Sequence, residues 1–191
     1  MIAAPHPKMT PAEYLAFERA SEERHEYLHG QVRRLPNSRP SHSIIEGNAA
    51  TLLYGQLQFR PCYVFLVNMR LLISQTGLYT YPDISIVCGD PQFSDEDNLL
   101  NPTVLIEVLS PSTESYDRGK KFQHYRTLES LQEYVLIGQD SPRIERYTRQ
   151  PDNQWLLADA VGLDASIELV SIGCTLVLAD VYEKVSFEEN S

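Results

Sequence analysis

The stretch Val104-Leu-Ile-Glu-Val-Leu109, stopped by Ser110-Pro-Ser-Thr113, decides the fold of this chain. A nearly unbroken apolar run ended by turn residues is the pattern of a strand covered on both faces, as in the sheet of an α/β protein. Glu107 interrupts the run. Burying an unpaired carboxylate costs several kcal/mol or shifts its pKa until it neutralises. Glu107 therefore needs a metal, a cation or a set of hydrogen-bond donors.

Toward the C-terminus a helix is predicted from about Ser115 to Leu128, with Phe122, Tyr125 and Leu128 facing inward. Asp117, Lys121 and Tyr125 line up along one side of it, while Arg118 and Lys120 fall on other faces, open to solvent or phosphate. By spacing alone the first two read as an exposed ion pair worth a few tenths of a kcal/mol. Glu133–Ile137 is a strand, Arg143–Leu157 a hairpin that protrudes and breaks at Gln150–Asn153, and Glu168–Val177 a last strand or two before a charged tail.

Toward the N-terminus, Asp83-Ile-Ser-Ile-Val-Cys88 is a short strand after Tyr81-Pro82, with Asp83 at its mouth. Two acids on neighbouring strands would hold a hard cation such as Mg²⁺ together with water and substrate phosphate. A strand-end aspartate and a glutamate bridged to an arginine are the plain alternatives. Cys62–Ile73 reads as β and Gly89–Asn101 as an exposed loop. Ser43-Ile-Ile-Glu46 is a capping box opening a helix to about Phe59, its apolar face carried by Ile45, Ala49, Leu52, Leu53 and Leu57. Glu26–Leu35 reads as a hairpin with His29-Gly30 at the tip, and Thr10-Pro-Ala-Glu13 starts a short helix to about Ala20. There is no repeat or linker, so residues 1–191 read as one α/β domain with its core at about 10–182 and flexible ends.

Hydrophobic residues make up 42% of the 191 and charged residues 22%, which excludes disordered and collagen-like classes. No apolar run is long enough to cross a membrane as a helix, and the Met1–Lys8 start lacks the pattern of a secretion signal. Cys62, Cys88 and Cys174 are scattered, so neither a disulfide framework nor a cysteine zinc site is expected, and a reducing cytoplasm fits. A formal charge of −10 works against unspecific phosphate binding.

His25-Glu-Tyr-Leu-His29 matches the H-E-x-x-H pattern of zinc hydrolases. That chemistry needs both histidines on one helical face and a third ligand. Here Gly30 follows at once and the flanks are β-like, so two histidines at a hairpin are the better reading and a zinc hydrolase the outsider.

Pro82-Asp83, Ile106-Glu-Val-Leu-Ser-Pro-Ser-Thr113 and Asp117-Arg-Gly119 with Lys121 and Tyr125 resemble the Uma-type branch of the PD-(D/E)XK restriction-endonuclease-like superfamily, a bacterial group of nucleases. The resemblance runs from Met9 to about Ile137 and is most specific over Glu107–Thr113. Glu26–Gly30 matches the family's N-terminal hairpin, and His42 falls where that family carries histidine. The resemblance implies a restriction-endonuclease-like α/β fold, a central mixed sheet flanked by helices, and Mg²⁺- or Mn²⁺-dependent hydrolysis of DNA. Asp83, Glu107 and Lys121 would be catalytic, the metal held by Asp83, Glu107 and the Val108 carbonyl. Glu26, His42, Asp117 and Tyr125 would support them. The lysine that the superfamily places two residues after the acid is Leu109 here, and Lys121 stands in from the next helix. Arg33, Arg34, Arg118 and Lys120, with Arg39 and Arg126, are the candidate DNA contacts. So few cations on an acidic chain imply weak, salt-dependent binding. A homodimer would lengthen the cleft. A nuclease-fold protein that binds without cutting is the alternative.

Overall fold

Every residue of Val104–Leu109 is buried, as a strand covered on both faces must be. The computed structural model describes residues 8–187, so the expectations for the two chain ends lie outside the described residues. In chain order the first elements are α1 (Pro11–Ala20), β1 (His25–Leu28), β2 (Gln31–Arg34), α2 (Pro40–Leu57), β3 (Cys62–Leu66), β4 (Arg70–Ile73), β5 (Leu78–Thr80) and β6 (Ile84–Cys88). Then come β7 (Phe93–Ser94), β8 (Asn98–Leu99), β9 (Val104–Leu109), α3 (Glu114–Tyr116), a π-helical turn (Asp117–Lys121) and α4 (Phe122–Tyr125). β10 (Glu133–Gly138), β11 (Arg143–Arg149), β12 (Trp155–Val161), β13 (Ser166–Leu169), β14 (Cys174–Val177) and α5 (Leu178–Val181) complete the described chain.

The strands form a mixed sheet in the order β12-β11-β10-β9-β6-β3, a second sheet β2-β1-β5-β4-β8-β7 and the pair β13-β14. β9 and β10 run parallel, which requires a crossover, and the helical segment from Glu114 to Tyr125 supplies it. Side chains alternate along β9. Val104, Ile106 and Val108 pack with Ile45, Ala49, Leu53 and Leu57 of α2 in one core. Leu105 and Leu109 face the other core, with Tyr125, Leu128 and Tyr134 and with Leu71 and Leu99 of the second sheet. Glu107 shares the parity of Leu105 and Leu109, so it points toward the seam between the two large sheets.

The α1 capping box forms as read, with Glu13 and Thr10 bonding reciprocally. The start of α2 differs from expectation. Pro40, whose fixed φ suits a first helical position, starts the helix after Arg39, and Ser43 becomes interior with its N–H on the Arg39 carbonyl. The β segment Cys62–Ile73 breaks after Leu66, sending β3 to one sheet and β4 to the other. The expected exposed loop at Gly89–Asn101 is anchored inside, because the Arg70 guanidinium donates to Asn98 Oδ1 at 2.6 Å and Leu99 is fully buried. Cys62 and Cys88, opposite one another on β3 and β6, form a disulfide, contrary to the cysteine reading. That pairing removes the argument for a reducing compartment. No described helix is long and apolar enough to cross a membrane.

Candidate active site

β6 and β9 pair antiparallel only over Ile84–Ile86 against Val104–Ile106. Where the ladder stops, the Asp83 side chain takes over as the acceptor: the Val108 N–H donates to its Oδ2 at 2.7 Å. The other oxygen lies 3.2 Å from His42 Nε2, on the first turn of α2. Glu46 stands one turn further along the same helix. One ligand atom from each of His42, Glu46 and Asp83 falls within 4.8 Å of the others.

Glu107 is 4% exposed, and its Oε1 accepts from the Tyr125 hydroxyl at 2.6 Å and lies 2.8 Å from Lys121 Nζ. Lys121 is also buried and stands 3.5 Å from Asp117 and 3.9 Å from Glu26 of β1. The π-helical turn aligns this stripe. A residue four along an α-helix overshoots its predecessor by about 40°, whereas the wider π turn undershoots, so the drift over Asp117, Lys121 and Tyr125 cancels instead of adding.

Burial pushes Glu107 up to about 8, opposed by Lys121 and reinforced by Asp83 and Asp117. Burial disfavours the Lys121 ammonium too, but Glu107, Asp117 and Glu26 outweigh it and hold the lysine pKa above its ordinary value. Burial likewise raises Asp117 against the pull of Lys121. For Glu26 burial is overcome by Lys121, Thr80 and Arg33, and its pKa is lowered. Both Glu26 oxygens are occupied, one by the Thr80 hydroxyl at 2.5 Å and one by Arg33 at 2.5 Å. His42 is raised because the hydrogen bond and charge of Asp83 outweigh its burial. Glu46 is raised by burial and by Asp83.

Asp83, Glu107, Val108, His42, Asp117 and Lys121 line one cavity of about 180 Å³. Arg24, Arg39 and Gln139 also line it. Tyr125 and Glu26 join from behind, through Glu107 and Lys121. The candidate DNA contacts are more dispersed. Arg33 pairs with Glu26 and lies over the Tyr116 ring at 4.2 Å, Arg34 pairs with Glu23 at 2.6 Å, and Arg118 pairs with Glu114 and Glu145. Lys120 is exposed. The H-E-x-x-H residues do not converge. His25 turns inward to Glu18 at 2.9 Å, Glu26 leaves the opposite side of the strand, and His29 sits at the hairpin tip with φ 49°.

Sequence reading alone did not single out Glu46, Arg24 or Gln139. The interval from His42 to Glu46 on one helix was the available signal for the first. Arg24 and Gln139 reach the cavity only through tertiary packing.

A mixed sheet that opens between two acid-bearing strands, with a buried lysine delivered from the crossover helix, places the molecule in the restriction-endonuclease-like class of α/β folds. The chain belongs to the Uma2 family, described as "Putative restriction endonuclease", whose model matches residues 11–179. It is similar to two uncharacterized proteins of Synechocystis sp. The protein slr1290 is 35% identical over 185 residues, covering 97% of each chain. The protein sll1609 is 35% identical over 170 residues, covering 88% of this chain and 96% of that one. The fold matches a crystal structure titled as a putative nuclease belonging to DUF820 from Anabaena variabilis, with TM-score 0.74 and 21% identity, over 91% of this chain and 97% of that one.

Proposed function

We propose that the chain is a divalent-metal-dependent endonuclease that hydrolyses DNA phosphodiester bonds. The observation that carries this reading is the buried contact of Lys121 with Glu107 at 2.8 Å in a cavity also lined by Asp83. An amine from a crossover helix and two acids from separate strands meet there.

The donor set fits a hard cation. Lys121 and Arg33 are paired with the acids Glu107, Asp117 and Glu26, Arg24 and Arg39 stand on the cavity wall, and carboxylate oxygens of this kind suit Mg²⁺ or Mn²⁺. Asp83, Glu107 and the Val108 carbonyl would hold the ion, with His42 and Glu46 beside them. When bound, such an ion supplies positive charge at the scissile phosphate and lowers the pKa of a water. Lys121 keeps its proton through neutral pH and presents that charge to a phosphate oxygen in the same cavity. Tyr125 holds Glu107 in place, and His42 orients Asp83. Glu26, with both oxygens taken, fixes Lys121 and Arg33 rather than joining the metal shell. Arg24 and Arg39 give an entering phosphate its first cationic contacts.

Supercoiled plasmid incubated with Mn²⁺ should be nicked by the wild type and left intact by Glu107→Gln. Plasmid that stays supercoiled with a wild type that binds Mn²⁺ would leave the reading of a non-cutting binder in its place. The homodimer belongs to the same proposal, and light scattering that gives the mass of one chain removes it.

A further inference from the structure

On the first two turns of α2, His42 and Glu46 stand four residues apart and so share one helical face. That face continues through Ala49 and Leu53 into the core with Ile84 and Ile106, which packs the helix against β6 and β9 and brings the pair up to Asp83. Among the described residues, His42, Glu46 and Asp83 are the one trio of His, Cys, Asp or Glu side chains whose ligand atoms come within 4.8 Å of one another, and Glu107 is not part of it. Ligands around one ion, each about 2.0–2.2 Å from it, lie about 3–4 Å apart. His42 Nε2 and Asp83 Oδ1 already stand 3.2 Å apart, and Glu46, only half-buried, closes the rest with a turn of its side chain.

Charge points the same way. Glu107 is matched by Lys121 at 2.8 Å, and the same oxygen accepts from Tyr125. Among the described residues, Asp83 has His42 as its ion-pair partner and no lysine or arginine within 4 Å. Arg24, on the same cavity wall, donates to the Val67 carbonyl at 2.9 Å. Asp83 and Glu46 with a neutral imidazole carry two negative charges, which a divalent ion balances. The nitrogen sets the preference. Mg²⁺ takes oxygen ligands and keeps much of its water, whereas a site that mixes imidazole with carboxylates favours first-row transition ions.

We propose that His42 Nε2, Glu46 and an Asp83 oxygen bind a divalent transition-metal ion at a position of its own, sharing only Asp83 with the ion of the proposed nuclease site. The ion replaces the hydrogen bond between His42 and Asp83. The cavity that these two residues line has room for the water that completes the coordination. The Val108 N–H, on the other Asp83 oxygen at 2.7 Å, keeps that carboxylate aimed. The site goes beyond the nuclease reading and stands without it, since neither Glu107 nor Lys121 is a ligand.

The test titrates the metal-free full chain with Co²⁺ in a large excess of Mg²⁺, which fills any site made of oxygen ligands alone. Calorimetry should give one Co²⁺ site, and the loaded protein should show one exchangeable imidazole N–H proton shifted far downfield in its ¹H NMR spectrum. Glu107→Gln should keep both. His42→Gln should lose the shifted proton. His42→Gln and Glu46→Gln should each weaken Co²⁺ binding by at least about tenfold, because even residues that merely orient a ligand are worth that much. Displacement of Co²⁺ by Mg²⁺, loss of the site in Glu107→Gln, or a shifted proton that survives His42→Gln would overturn the proposal. A wild type without the shifted proton would overturn it as well, and that measurement needs no variant to fold. Plasmid nicking separates the two readings. A chain that nicks but shows no shifted proton loses only this site, and one that shows it but never nicks loses only the catalysis.

Discussion

Lys121 is the residue on which the proposed chemistry and the stability both turn. Its ammonium faces three buried carboxylates, so Lys121→Met leaves Glu107 and Asp117 without a counter-charge and Glu26 with Arg33 alone. Removing one partner of a buried pair costs about 3–5 kcal/mol. Urea titration should show a loss of that size alongside complete loss of nicking. Glu107→Gln is the contrasting change. It removes a buried charge whose pKa burial already raises and leaves Lys121 with Asp117 and Glu26. Nicking should vanish while the urea midpoint moves little. A third residue, one of several buried phenols held above their ordinary range, contributes to the alkaline limit. The Tyr81 hydroxyl donates to Glu18 at 2.9 Å, accepts from Arg70 at 3.0 Å and is pushed up to about 12, mainly by burial. A phenol in the unfolded chain ionises near pH 10, so the unfolded state loses that proton first. Tyr81 therefore contributes stability that is complete below about pH 10 and lost as pH climbs toward about 12. Urea midpoints across this window should fall, and Tyr81→Phe should flatten the slope.

Among the elements, the π-helical turn makes the sharpest demand. Deleting Gly119 lets the segment close as an ordinary α-helix, which sets Lys121 three residues after Asp117, about 30° further out of line with it than the π turn does, and draws it along the axis away from its place opposite Glu107. That deletion should abolish nicking. Gly119→Ala should be tolerated, because a Cβ there meets nothing within 4 Å, and should raise stability by about 0.5–1 kcal/mol in urea titration. What the sequence revealed of these elements follows their locality. The α1 cap, the His29-Gly30 hairpin and β9 depend on neighbours in sequence, and all formed where they were read. The start of α2 was misplaced because Ser43-Ile-Ile-Glu46 and Pro40 are rival local signals, and the proline won. The interval of four between Asp117 and Lys121 is the same for an α-helix and a π turn, so the latter left no trace in the pattern. Glu107 and Asp83 drew notice because a charge in or at the mouth of an apolar run asks for a partner, whereas Lys121, an exposed ion pair by spacing, is buried and came to notice only through the family resemblance. Glu46, Arg24 and Gln139 were not legible, since ordinary polar residues acquire their meaning only when distant strands bring them to a cavity wall.

At the scale of the whole molecule, the Cys62–Cys88 bridge ties the edge strand β3 to β6, the strand that Asp83 precedes, and closes a separation of 26 residues. A loop of this length corresponds to about 3.5 kcal/mol in the chain-entropy treatment. Dithiothreitol should lower the midpoint of thermal unfolding of the wild type and leave a Cys62→Ser, Cys88→Ser double variant unmoved. Across the molecule from that bridge, Lys121 joins Glu26 of the second sheet to Glu107 of the first. The same amine that would serve the reaction is also the clasp between two layers. A descendant that gave up cutting would still be obliged to keep its clasp, so an intact acid–amine trio in a relative testifies to architecture before it testifies to turnover. His42 stands outside that clasp, so under the proposed function its survival or loss among relatives is the better guide to cutting.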